Sequence, residues 1–203
     1  ARLIRRERVD VVHVHNTMPR ITPGVFAVAK NAGAATVMTV HNYRSHCLNG
    51  QLYRPGYGVC HSCPRHGSFL PGVAYRCYNG SVAESSLRAV TGTLYRRRRF
   101  LDSVDRFIAL THAERSILES LGFPRDRIVL KPNHVPASLF DRRVPEPSQR
   151  RGVIFVGRLE EAKSALELVR LWRHVPSHIP LTLVGVGPDR EAIERIRPPH
   201  VSV

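Results

Sequence analysis

Short β-branched runs alternate along this chain with longer stretches in which apolar positions recur every three or four residues. Asp10–His15 (DVVHVH) predicts a strand, and Ile21–Ala32 predicts a helix that stops at Gly33. Ala35–His41 (ATVMTVH) predicts the next strand. After residue 80 the rhythm resumes with a helix over Ser81–Leu101, a strand over Asp105–Leu110 and a helix over His112–Leu121. Thr111 can cap that last helix and Gly122 can end it, before Arg127–Lys131 (RIVLK) closes the series as a strand. Residues 42–80 interrupt the pattern. They are rich in Gly, Pro, Tyr and Cys, show no period, and predict an irregular insertion.

A second series follows Pro132–Arg151, a stretch holding Pro132, Pro136, Pro145 and Pro147 that reads as a linker. Gly152–Val156 predicts a buried strand, Ser164–His174 a helix, Leu181–Val184 a strand, Asp189–Ile196 a helix and His200–Val203 the start of a strand. Strands alternating with helices predict an α/β protein with parallel, doubly wound sheets. Two such series predict two Rossmann-like domains facing across a cleft. The expected bounds are 1–132 for the first domain, 133–150 for the linker and 151–203 for the second. The pattern is already helical at Ala1 and enters a strand at Val203, so the chain reads as an internal piece with both domains incomplete.

Composition narrows the classes. Hydrophobic residues make up 42% of the 203, enough for a packed core and too many for intrinsic disorder. No apolar run approaches the ~20 residues that span a bilayer. The opening ARLIRRERVD lacks the apolar centre of a signal peptide, which makes a cytoplasmic protein the expectation. Thirty-one basic residues against sixteen acidic ones give a formal charge of +15, and only Lys30, Lys131 and Lys163 are lysines. Arginine is the better bidentate partner of phosphate, so nucleic acid, nucleotides and anionic lipid all enter as partners, with an ordinary solvated surface as the plain alternative. The run Arg96–Arg99, flanked by Tyr95 and Phe100, suits a helix lying on an anionic membrane.

The strongest chemistry lies in Val153–Ser164. A strand runs into Gly157, then into a loop carrying Arg158 and Lys163, then into a helix N-terminus. Open parallel sheets bind ligands outside the carboxyl ends of their strands. Glycine permits close approach of the backbone, a helix start offers free N–H groups, and two cations complete a place for a diphosphate. The alternative is a surface loop with incidental cations. Leu181–Pro188 (LTLVGVGP) repeats the strand-into-glycine theme with Gly185 and Gly187, which a neighbouring parallel strand would bring to the same sheet edge.

GRLEEAKS and LTLVGVGP together resemble the donor-binding half of retaining GT-B glycosyltransferases of family 4, the glycosyl transferases group 1. VDVVHVHN, TVHNYR, VDRFIALTHAERSILESLGFPRDRIVLKPN and the turn at Pro132–Asn133 resemble that family's acceptor-side domain and crossover. The resemblance runs over about residues 9–203. It implies transfer of a sugar from a nucleotide donor, UDP- or GDP-linked, with retained configuration and no metal required for catalysis. The acceptor it implies is a glycan or lipid-linked molecule, reached from the cytoplasm or the inner membrane face. By position it implies that Arg158 and Lys163 hold the donor diphosphate, with Gly157, Ser164, Gly185 and Gly187 around it. It likewise puts His41 near the reacting sugar and makes His15, Asn16 and Asn133 acceptor-side contacts, while His13 reads as structural. As a packing or capping histidine, His41 would need no such role.

The chain departs from the family in three places. Ser164 stands where the family has glycine, and a serine there could still cap the helix and bond a phosphate. No two glutamates are spaced as an E-x7-E pair, and a glycine-rich loop near the start is missing, so this piece is expected to be inactive alone.

Cys47, Cys60, Cys63 and Cys77 all fall inside the insertion, spaced C-x12-C-x2-C-x13-C. Four thiols with one CxxC can form a structural zinc site, with His46, His61 and His66 as substitute ligands. A disulfide or redox pair and unligated thiols stay open beside it. The charge and the CxxC also admit a rival from another class, a basic zinc-containing nucleic-acid-binding module. Against that rival, the cations are scattered, the aromatics are only 7%, and no recognition-helix or single-strand platform pattern occurs, so no specific nucleic acid is expected. A GT-B epimerase or phosphorylase relative is the remaining alternative, because a fold does not fix a function.

Overall fold

The computed structural model describes residues 1–17, 21–97, 99–140 and 146–203. Arg98 of the arginine run and Pro145 of the Pro-rich stretch lie outside the described residues. The chain divides into two compact units, Ala1–His134 and Val135–Val203.

The first unit opens with a short helix α1 (Arg2–Arg6) that buries nothing. Strand β1 (Val11–His15) follows, then α2 (Gly24–Asn31) and β2 (Ala35–Thr39). Pro23 sets the start of α2, and Gly33 at φ +89° turns the chain out of it into β2. A two-residue hairpin, β3 (Tyr53–Arg54) against β4 (Gly58–Val59), and two short helices, α3 (Ser62–Arg65) and α4 (Leu70–Ala74), occupy the insertion. Then come α5 (Val82–Arg97), β5 (Arg106–Ala109), α6 (His112–Ser120) and β6 (Ile128–Leu130). The four long-range strands form one parallel sheet in the order β1-β2-β5-β6. In its register His15 lies opposite Thr39, and Phe107 opposite Ile128.

The core of this unit lies between the sheet and its helices. Phe26 from α2, Val14, Met38 and Phe107 from the strands, and Leu118 from α6 are all buried there. Phe107 and Phe123 meet edge to face, with ring centroids 4.9 Å apart, a favoured aromatic geometry. At the sheet's lower edge Asp105 ties β5 to β2, accepting from Lys30 Nζ at 2.7 Å, from the Thr36 N–H at 2.8 Å and from Thr36 Oγ1 at 2.9 Å. Thr111 caps α6 as the sequence predicts, its hydroxyl accepting from the Glu114 N–H at 3.0 Å, while the Glu114 carboxylate accepts from the Leu110 N–H.

The helix expected over Ser81–Leu101 is shorter. It ends at Arg97, and a separate 3-10 turn over Phe100–Ser103 follows Arg99 in the left-handed region at φ +49°. That break turns Phe100 into the core, where Tyr95 packs against the same cluster and Arg96 lies over the Phe69 ring at 5.5 Å. The aromatic residues flanking the arginine run are therefore not surface anchors. The insertion is not wholly irregular either. Leu48 and Phe69 from it join Ala89 of α5 in a small buried cluster of its own.

The second unit carries a parallel sheet β7-β8-β9 of β7 (Val153–Val156), β8 (Leu181–Val184) and β9 (Val201–Ser202), with α7 (Ala165–Trp172) and α8 (Arg190–Ile196) between the strands. Leu181, Leu183, Val201, Val169 and Ile193 are buried, and Phe155 packs against them. The opposite face is bare among the described residues: Ile154 is 64% exposed, Val156 72% and Val184 48%. β7 is thus not the buried strand that its apolar run predicts. Side chains alternate along a strand, and the helices meet only the face that carries Phe155.

Candidate functional site

Two groups of the expected residues are assembled, one in each unit. In the second, β7 and β8 run in register, and the pairing continues past their ends: the Gly157 N–H donates to Val184 O at 3.0 Å and the Leu159 N–H to Val186 O at 2.9 Å. The Asp189 N–H then donates to Leu159 O at 3.0 Å. The two glycine loops therefore lie backbone to backbone. A Cβ on Gly185 would stand 1.8 Å from Gly157 O, and one on Gly187 would stand 2.1 Å from Leu159 O. Side-chain-free residues at both positions are a condition of this contact. Gly157 itself is less constrained, since a Cβ there meets only the Phe155 ring at 3.3 Å.

The paired loops hold Arg158 and Lys163 at the carboxyl end of the sheet, both exposed. Arg158 Nη2 pairs with Glu160 Oε1 at 2.8 Å, the arginine 70% exposed and the glutamate 19%. Lys163 ends a 3-10 turn over Glu161–Lys163 and meets no carboxylate among the described residues. Ser164 follows in the left-handed region at φ +54° and makes no side-chain cap to α7, contrary to the capping role expected of it. That backbone conformation strains any residue with a Cβ and favours glycine, the residue that the resemblance leads one to expect here.

In the first unit, β1 and β2 bring His13, His15, Asn16 and His41 to one edge of the sheet. His13 and His15 share the exposed face of β1 because side chains repeat every two residues. His15 Nδ1 lies 3.0 Å from His41 Nε2, with the rings 5.3 Å apart and nearly parallel, and the His13 ring stands 4.4 Å from that of His15. His13 Nε2 is 2.8 Å from Thr39 Oγ1. Asn16, left-handed at φ +63°, accepts the His41 N–H through Oδ1 at 3.0 Å. Asn16 is therefore a backbone clamp for His41. Burial holds the His13 imidazole below its usual pKa, with His15, Lys131 and His41 adding like charge. The sequence reads His13 as structural, and its ring lies beside that of His15 with its Nε2 engaged by Thr39. Lys131, just past β6 and separated from β2 by β5, reaches His13 only through its charge, which no spacing in the sequence signals. Asn133 is exposed in the extended stretch after β6, and among the described residues no hydrogen bond joins it to them.

In the insertion all four cysteines are unbridged. Burial pushes the Cys63 thiol up to about 11, with Cys47 adding to the rise. Among the described residues no helix is long and apolar enough to cross a membrane.

Residues 1–134 match the glycosyl transferase 4-like domain, and the chain belongs to that family. No curated protein matches the chain. Among solved structures it resembles a mutant of TarM from S. aureus in complex with fondaparinux, alpha-GlcNAc-glycerol and UDP, at 14% identity over 86% of this chain and 29% of that one, TM-score 0.44. It also resembles the S. aureus MnaA–UDP co-structure, at 14% identity over 100% of this chain and 48% of that one, TM-score 0.45. A third likeness is to the apo form of the lipopolysaccharide outer core galactosyltransferase WaaB, at 14% identity over 96% of this chain and 42% of that one, TM-score 0.44. The chain spans less than half of the length of each.

Proposed function

We infer that this chain is part of a retaining glycosyltransferase that moves a hexosyl group from a UDP- or GDP-linked donor to a glycan or lipid-linked acceptor in polysaccharide or glycolipid synthesis. The observation that carries the reading is the pair of loops fastened backbone to backbone by Gly185 and Gly187, with Arg158 and Lys163 exposed at their tip. When the bond between the sugar and the diphosphate breaks, the electron pair and a full negative charge go to the phosphate oxygen. Two cations beside that oxygen stabilise the charge more in the transition state than in the bound donor, which is what accelerates the step. Without ligand, Glu160 engages Arg158; a diphosphate offers the same guanidinium a bidentate partner of higher charge. In the first unit, His41 is held through its backbone by Asn16 and through its ring by His15, a placement suited to orienting an acceptor hydroxyl.

The test is release of nucleoside diphosphate from a panel of UDP- and GDP-sugars by the full-length protein. Arg158→Ala and Lys163→Ala should each lower kcat by ~10²–10³. Unchanged turnover in both variants sinks the assignment.

The same reading includes an acceptor presented at an anionic membrane surface, on the cytoplasmic side. What supports it is the outer face of α5, where Leu87, Val90 and Leu94 are 69%, 60% and 51% exposed at helical spacing, ahead of Arg96 and Arg97. An amphipathic helix of this kind binds through apolar burial plus attraction to acidic headgroups. Sedimentation with phosphatidylglycerol vesicles at low salt should retain the protein, and Leu87→Glu with Leu94→Glu should release it; equal recovery of both dismisses the membrane.

A further inference from the structure

The insertion contains a second built site. Its four cysteines come from separate stretches: Cys47 from the turn after β2, Cys60 from the end of β4, Cys63 from α3, and Cys77 from the segment between α4 and α5. All four line one cavity of about 10 Å³. That is about the room one small atom requires.

Two of the thiols have polar neighbours: the Cys47 thiol donates to Asn49 Oδ1 at 3.0 Å and the Cys60 thiol to Ser62 Oγ at 3.5 Å. Metal binding would release those protons. A Cβ on Gly72 would stand 3.1 Å from Cys63 Sγ and 2.7 Å from Leu48 Cδ1, so the approach of α4 to this sulfur depends on glycine. The Arg54 guanidinium lies 4.0 Å from the ring centres of both Tyr57 and Tyr75 and lines the same cavity as the four cysteines. Arg65 adds a second cation near Cys60. A divalent ion on four thiolates carries a net charge of minus two, which two arginines offset.

As the side chains stand, no three His, Cys, Asp or Glu among the described residues form a ready metal-holding group. Occupancy therefore needs the thiols to turn inward onto the cavity they already line. The insertion has a reason to need it. Its own core is little more than Leu48 and Phe69 against Ala89, and small units with so little burial are commonly stapled by a structural metal.

We propose that Cys47, Cys60, Cys63 and Cys77 bind one zinc ion as a four-thiolate structural site that fastens the separate stretches of the insertion to one another. Binding is an exchange without redox: four S–H bonds give their protons to solvent and four zinc–sulfur bonds form. The site is separate from the glycosyl-transfer reading and stands or falls without it.

The experiment is metal and thiol analysis of the full chain, purified without chelator and incubated with zinc, followed by cobalt substitution. Expected are one zinc per chain, four thiols that react with a thiol reagent only after chelation, and a thiolate-to-cobalt charge-transfer band. Cys60→Ser, whose thiol is only half-buried, should lose the zinc and lower the melting temperature; should Cys63→Ser fail to fold, the cobalt band of the wild-type chain still decides. No retained zinc with four freely reacting thiols overturns the proposal. So does a mass lighter by the hydrogens of a disulfide, or cobalt binding without a charge-transfer band.

Discussion

A single backbone angle governs the residue after Lys163. Ser164 sits at φ +54° with no capping bond from its side chain, a conformation that costs a non-glycine residue ~1–2 kcal/mol. Ser164→Gly relieves that strain and loosens the unfolded chain, leaving an expected gain of a few tenths to ~1 kcal/mol, read as a higher urea midpoint. A lower midpoint would mean that the serine hydroxyl holds the loop. Gly185→Ala should act in the opposite direction, because the new methyl meets a carbonyl oxygen and not a movable side chain. The expected loss is ~1–3 kcal/mol, and more than for Gly157→Ala, where only the Phe155 ring must give. Denaturation of the three proteins side by side ranks them. The sequence marked Ser164 as a departure without saying why glycine was wanted; the reason is a dihedral angle, and no composition or spacing carries one.

Elements were legible where they are long and bounded by strong punctuation. β1, β2, β5, β7 and β8 fall within a residue or two of their β-branched runs, and α6 begins at the Thr111 cap. The insertion was not legible as structure, since its strands are two residues long and its helices four or five. The inward turn of Phe100 was hidden for another reason: the break after α5 falls among arginines, which carry no periodic signal. Here pH reports on packing. His46 is buried against Phe123 with Ser45 Oγ 2.9 Å away, and burial, aided by Arg96, lowers its pKa to about 4. The unfolded chain takes up that proton near 6.5 and the folded one refuses it. Stability should therefore fall as pH drops from about 6.5 to about 4 and then level off for this group. Asp105 adds a second loss further down: its bond from Lys30 and those from Thr36 hold it at about 2, so its contribution is present above 3.8 and disappears as pH falls toward 2. Urea midpoints across pH 8 to 4 should show a slope in the wild type that His46→Gln flattens; an equal slope in both would assign it elsewhere.

At the scale of the whole molecule, the order of motifs and the family were readable from the sequence, while exposure was not. The run VIFV looks like a central strand and is in fact largely exposed. Its bare face has a consequence for this 203-residue chain, taken by itself, as a colloid. Ile154, Val156 and Val184 offer an apolar plate of the kind on which two chains stick, and what opposes sticking is the mutual repulsion of chains that each carry +15. Salt shortens that repulsion to ~10 Å at 0.1 M and ~3 Å at 1 M, yet leaves hydrophobic attraction in place. This protein should therefore scatter light as separate particles in dilute buffer and cluster as salt is added, the reverse of salting-in. Ile154→Lys with Val156→Glu, which leaves the net charge unchanged, should abolish the clustering; its persistence would place the adhesive surface elsewhere.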